Sequence, residues 1–173
     1  MELIRTRLDL SASISTRRPT GIVGIRIFRH GMLIGTHDSP NLFVNAGLPA
    51  LAALLAGDTA GQSATAIGFG SGSNAPALTD TGLSSPAYYK ALDSHAENGT
   101  NPGSGSVQLN WSLVAADSGA QGITIQELGL FANPTAVALP GTNSPTILLA
   151  RKTISPITFS SGMSLTGTWT LTF

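Results

Sequence analysis

The chain has 173 residues, no cysteine, and nine Lys and Arg that cancel nine Asp and Glu. Only 10% of its residues are charged, against about 25% in an ordinary soluble domain. These numbers exclude disulfides, thiolate metal sites and cysteine nucleophiles, and the neutral charge argues against nucleic acid as the main ligand. Zero net charge also leaves little to keep copies apart, so a surface largely covered by other protein is expected.

At the N-terminus, Arg5 and Arg7 stand where a leader peptide needs its apolar core, so no secretion signal is expected. Ile4, Leu8, Leu10, Ala12 and Ile14 alternate with Arg5, Arg7, Asp9, Ser11 and Ser13, the period-2 signature of a strand. Arg17, Arg18 and Pro19 end it. Residues 1–20 therefore read as an extended arm and residues 21–173 as a single β-sandwich domain. Six of the nine basic residues (Arg5, Arg7, Arg17, Arg18, Arg26 and Arg29) lie in the first 29 positions, against Glu2 and Asp9. Arg5, Arg7, Arg17 and Arg18 are interface candidates for an acidic partner; a solvated terminal segment is the plainer alternative.

Val23, Ile25 and Ile27 begin a second strand, which Arg29-His30-Gly31 turns into Met32–Thr36. Leu48, Leu51, Ala52 and Leu55 follow helical spacing. Asn45 suits its N-cap, Pro49 is tolerated in the first turn, and Gly57 suits the C-terminal end. The apolar run 46–56 is far short of the ~20 residues that span a bilayer. Segments 68–76, 98–106 and 132–145 read as long connections. Val107, Leu109, Trp111 and Leu113 form another alternating run. In the last strand Leu165, Trp169, Leu171 and Phe173 share one face and Thr166, Thr168, Thr170 and Thr172 the other. The class is all-β with one short helix: an antiparallel β-sandwich, jelly-roll-like.

Few motifs point to chemistry. Ile67–Gly72 has the glycines of a phosphate loop, but Ser73-Asn74-Ala75-Pro76 follows where a helix should begin. Its glycines read instead as a tight turn with positive φ. His30 and His37 flank the hairpin, Asp38 is the one nearby third ligand, and His95 stands apart, so turn histidines are expected rather than a metal site. No carboxylate pair and no nucleophile triad stands out. No catalytic residue, cofactor site or metal site is assigned, and an enzyme is not expected. Asn98 and Asn110 open glycosylation sequons, which carry little weight without a leader. Glu127 is the exception. Ile123 and Ile125 face one way, while Leu128 and Leu130 have the opposite parity. Either a bulge lies near Gln126 and Glu127, leaving Glu127 beside it in solvent, or Glu127 points inward. An inward carboxylate needs a partner, and Arg151 is the candidate.

Three blocks resemble a family. Asn45–Leu55 leads into Ala66–Gly72 and Leu78–Leu83; Ile123–Phe131 carries an Ile-x-Glu-x-Gly-Leu-Phe pattern; Leu148–Lys152 leads to the Thr-rich final strand. In this order they resemble the virion-attachment domains of tailed-bacteriophage tail, collar and baseplate proteins, over about residues 41–173. Ser84-Ser85-Pro86 departs from the pattern, which often continues with a carboxylate. In long tail fibres a receptor-binding shaft follows such a domain; here a stand-alone subunit without a shaft is expected. The resemblance implies a non-enzymatic adaptor subunit of the virion, assembled in the bacterial host cytoplasm. Its partners would be copies of itself and other virion proteins, with no membrane contact. A capsid decoration (cement) protein is the close rival. A carbohydrate- or receptor-binding module, with Tyr88 and Tyr89 stacking on sugar, is the alternative of another class.

Overall fold

Alternation decides where the strands lie. A computed structural model describes residues 18–58, 62–99, 105–132 and 138–173; the expected strand over 4–14, with Arg5, Arg7 and Arg17, lies outside the described residues. β1 (Thr20–Arg29) and β2 (Met32–Phe43) form the anticipated hairpin. His30 and Gly31 both have positive φ (49° and 81°), which gives the backbone twist that joins two strands through a two-residue turn. Helix α1 (Gly47–Leu55) follows, then β3 (Ala64–Gly70), β4 (Pro86–Ala91), β5 (Ser94–Asn98) and β6 (Ser106–Leu113). A 3-10 turn at Ser118–Ala120 precedes β7 (Thr124–Ala132), β8 (Ile147–Thr158) and β9 (Met163–Thr172).

The strands form one antiparallel sheet in the order β4-β3-β7-β8-β2-β1-β9-β6-β5. The all-β sandwich-like fold with one short helix is the class expected from the sequence; its two layers are continuous because β2 belongs to both halves. Residues 32–41 pair with β1, and Leu42 and Phe43 pair with Arg151 and Ala150 of β8. The sheet curls over on itself at this strand, so that its halves face each other. Phe69 of β3 meets Trp111 of β6 edge to face, with ring centroids 5.4 Å apart. Around this contact lie Val23, Ile25, Ile67, Leu109, Leu128, Leu130, Leu165 and Trp169, all buried. The Trp111 ring packs against β9 in the space that a Cβ at Gly167 would take.

Three local expectations change. The N-cap of α1 is Ala46, not Asn45; no side chain caps this end, and the Asn45 N–H binds the Leu78 carbonyl instead. The helix buries Gly47 and Ala50, while Leu55 is 85% exposed, so the inward stripe is offset from the anticipated one. Gly47 sets the offset: a Cβ there would lie 2.9 Å from the Leu149 backbone, so α1 sits directly on β8. Its C-terminus ends as expected at Gly57 (φ 90°), where the Gly57 and Asp58 N–H groups bind the Leu54 and Ala53 carbonyls. In β9, Leu165, Trp169 and Leu171 face the core, but Phe173 lies past the strand end and is 58% exposed.

Truncating Trp169 to Ala should therefore cost ~3–5 kcal/mol, as for other buried aromatics. Phe173→Ala should cost less than about 1 kcal/mol. Urea melts of the two variants against the parent check this. Equal losses would place Phe173 in a core that the strand register does not give it.

Candidate functional site

Glu127 and Arg151 meet, and both sequence alternatives for Glu127 hold in part. The β7–β8 register slips between Ile125 and Glu127, with the extra residues on β8 opposite Gln126. Pro156, which lacks an N–H for the ladder, lies among them. After the slip, Leu128, Leu130 and Ala132 face the sandwich core, while Glu127, Gly129 and Phe131 face the other side. That other side is not solvent. Residues 71–85, the connection from β3 to β4, cover it, and Glu127 is 0% exposed.

The carboxylate is fully used. Its Oε1 accepts from the N–H groups of Gly72 (3.1 Å) and Ser85 (2.7 Å). Its Oε2 accepts from the Ser84 N–H (3.0 Å) and hydroxyl (3.2 Å), and from Arg151 Nε (2.9 Å) and Nη2 (2.6 Å). The guanidinium also donates to Asp80 Oδ2 (2.8 Å), the Ser84 hydroxyl (2.8 Å) and the Asn74 carbonyl (3.2 Å). Asp80 is anchored in turn by the Ala77 N–H (2.9 Å). The connection 71–85 is thus held at Gly72, Asn74, Asp80, Ser84 and Ser85.

Burial alone would raise the Glu127 carboxyl, but the Ser85 and Ser84 N–H groups and Arg151 outweigh it and hold it below the ordinary range. Asp80 is also held low: burial opposes, and the Ala77 N–H and Arg151 prevail. Burial would lower Arg151, yet its hydrogen bonds to Asp80 and Glu127 and their charges raise it further. Held below its ordinary range, buried, and hydrogen-bonded at both oxygens, this carboxylate is suited to holding structure.

The glycines make this node possible. None of Gly68, Gly70 and Gly72 has positive φ among the described backbone, so the expected tight turn is corrected: Gly68 and Gly70 lie inside β3. They are glycine because other groups occupy the Cβ positions. A Cβ at Gly70 would lie 2.6 Å from Glu127 Oε1, and one at Gly72 2.5 Å from it and against the Ser84 hydroxyl. At Gly68 it would strike the Tyr89 and Phe131 rings. Tyr88 and Tyr89 are 4% and 1% exposed, which removes them as sugar-stacking residues.

Sequence reasoning missed a second node. Asp117 accepts from Lys90 Nζ (2.9 Å), the Val114 N–H (2.8 Å) and the Tyr88 hydroxyl (3.1 Å). It ties β4 to the turn after β6, and so links the two sheet halves. Burial opposes its ionisation, but the Val114 N–H and Lys90 hold it below the ordinary range. Burial, followed by the Asp117 charge, pushes the Tyr88 hydroxyl up to about 12. The isolated Lys90 between Tyr89 and Ala91 was the available signal.

Of the N-terminal arginine candidates, Arg18 is described: it is half-buried beside buried Pro19 and far in sequence from the Glu127 node. His30 sits in the hairpin turn, His37 bonds Ser39 Oγ (2.9 Å), and His95 lies on β5. Among the described residues no three His, Asp or Glu side chains form a metal-ligating group. Two surface features stand out. Met32, Leu33 and Ile34 at the hairpin tip are 70%, 53% and 54% exposed. A polar groove of about 420 Å³ crosses the outer face of β1, β9 and β6, lined by Arg26, Asp38, Asp93, Asn110, Thr166 and Thr168.

Removing one partner of a buried pair leaves the other stranded, at roughly 3–5 kcal/mol. Glu127→Ala and Arg151→Ala should each lose about that much, Glu127→Gln less, and the double variant less than the sum of the singles. Strictly additive losses in denaturant melts would refute the coupling. The pH dependence has a defined sign. Because Glu127, Asp80 and Asp117 are depressed in the fold, their contribution is complete above their unfolded values near ~4. It is lost as pH falls through the lower folded values. Melts from pH 7 to pH 2 should show a falling acid limb, shallower in Glu127→Gln; an unchanged limb in that variant would contradict it.

Compared with known proteins, no family model, no curated protein and no solved structure matches this chain.

Proposed function

We propose that the protein is a non-enzymatic structural subunit of a tailed-bacteriophage virion, an adaptor of the tail, collar or baseplate that works through protein–protein contacts. The observation that carries this reading is convergence at one node. The three sequence blocks that resemble phage attachment domains are far apart in the chain, yet Gly70, Gly72 and Asp80 of the first, Glu127 of the second and Arg151 of the third meet within hydrogen-bonding or van der Waals distance. A resemblance arising from composition alone has no reason to converge in space. Ser84 and Ser85, where the resemblance breaks, supply two N–H groups and a hydroxyl to the same carboxylate.

The surface supports an assembly role. Met32, Leu33 and Ile34 present three consecutive apolar side chains at the hairpin tip, and Ile22 on the same hairpin is 56% exposed. Single exposed apolar residues are ordinary, but contiguous ones mark contact sites. The rival capsid-decoration role would use the same surface and differ in copy number. A sugar-binding role loses its stacking tyrosines to the core and keeps only the polar groove.

Mass spectrometry of purified particles, with copy number scaled to the major capsid protein, tests the reading. A few to a few tens of copies, retained in isolated tails, is the expected result. Hundreds of copies on tail-free heads would make it a decoration protein, and absence from the particle would end the virion reading. Replacing Met32 and Ile34 by Asp should cut incorporation at least tenfold while the purified variant keeps the parent's melting midpoint within a few degrees.

A further inference from the structure

The two edges of the curled sheet are finished differently. β4 is covered, since Tyr89 exchanges two backbone hydrogen bonds with Gly141 (2.7 and 3.0 Å). β5 is not. It is exposed along its whole length, and among the described residues only β6 pairs with it. An open row of N–H and C=O groups is a template for a further strand. The sandwich is also open on this side. A cleft of about 380 Å³ lies between β5 and α1, with Leu51, Leu54, Val107, Leu171 and the exposed ring of Phe173 on its apolar walls.

The sequence holds one segment that fits both features. Ile4, Leu8, Leu10, Ala12 and Ile14 share one face of a period-2 pattern. Laid beside β5, this face would enter the cleft. Arg5 and Arg7 would then lie on the opposite face, the one on which Asp93 lines the polar groove.

Register gives the reach, and strand direction gives the source. Thr20, Thr172, Ser106 and Asn98 lie in one row across β1, β9, β6 and β5. At ~4.8 Å per strand the chain enters β1 about 14 Å from the β5 edge, whereas 17 extended residues span up to ~56 Å. β1 starts at this row and β5 ends at it. The shortest path onto its own β5 would therefore set the segment parallel to that strand, whereas every pairing in the sheet is antiparallel. A second copy related by a two-fold axis offers its β5 in the opposite sense.

We propose that residues 4–14 of one copy add as an antiparallel strand to β5 of a second copy, with Leu8 and Leu10 filling the cleft, and that the exchange is reciprocal. The proposal stands on the open edge, the cleft and the strand directions, and it does not depend on the virion reading.

The absence of cysteine makes the test clean. Full-length Leu8→Cys or Leu10→Cys protein is mixed with His95→Cys or Glu97→Cys protein under mild oxidation. At least one of the four mixtures should give a covalent heterodimer, at least tenfold more than a control mixture with Thr36→Cys on exposed β2. Light scattering should find the parent dimeric and a variant lacking residues 1–17 monomeric, with circular dichroism unchanged. Heterodimer no higher than control would overturn the proposal. So would a Leu8→Cys, His95→Cys double variant that cross-links only within one chain, because the segment then covers its own β5. If the truncated protein unfolds, the cross-linking of full chains decides. None of these outcomes bears on whether the protein sits in a particle.

Discussion

A carboxylate buried under 15 residues of irregular chain is the constraint on which this half of the molecule rests. An unpaired Glu127 in that position would be costly enough to unfold a marginally stable domain. It is tolerated because Arg151, three loop donors and one hydroxyl satisfy both oxygens, and because Arg151 is in turn satisfied by Asp80 and a carbonyl. The dependence runs both ways. The connection 71–85 has no strand or helix of its own, so its conformation is set by the groups it offers to the ion pair. Gly70 and Gly72 complete the arrangement by leaving empty the volume that the carboxylate fills.

The irregular register of β7 follows from the same constraint. A strand in perfect alternation would put Ile125 and Glu127 on one face. Ile125 belongs to the sandwich core, and Glu127 belongs under the loop. The slip between them lets one strand serve both. The two halves of the sheet consequently differ. In the half made of β4, β3, β7 and β8, the central stretches around Tyr88–Tyr89, Ala66–Gly70, Glu127–Ala132 and Leu148–Arg151 are buried on both faces, with Val44, Ala66, Tyr89, Phe131 and Leu148 forming a second apolar cluster. In the other half, β9 and β6 have one dry face and one lined by Thr, Asn and Ser, and β5 is exposed on both. The first half is tied together by the ion-paired node, and the second carries the groove, the hairpin tip and the edge that no described residue pairs with.

This asymmetry also explains what could be read from the sequence. Strands with one wet face announce themselves by alternation, so β1, β6 and β9 were legible, and so was the turn at His30 and Gly31. Strands buried on both faces do not alternate. Tyr88 and Tyr89 are adjacent, both buried, and face opposite layers, which hid β4 and made the pair look like surface aromatics. β5 is exposed throughout, so its sequence Ser94–Asn98 carries no apolar signal. Glu127 and Arg151 were legible because charge is rare here and the parity break is local. The reason for Gly70 and Gly72 was not, because it lies in the side chain of Glu127, far along the chain from both. Asp117 was missed for the same reason: its partners come from another strand and from the turn it closes.

The sparse charge gains meaning once its location is known. Of eighteen Asp, Glu, Lys and Arg, five (Asp80, Lys90, Asp117, Glu127 and Arg151) are held in the two ion-paired nodes. Five more (Glu2, Arg5, Arg7, Asp9 and Arg17) precede Arg18. Eight remain for the rest of the surface, where Met32, Leu33, Ile34, Leu55 and Phe173 are all more than half exposed. The charges that would keep copies apart have been drawn into fixing one loop and joining two sheet halves. What they leave outside is a weakly charged surface with an apolar tip and a strand edge that no described residue pairs with, and these are the features on which the proposed association draws.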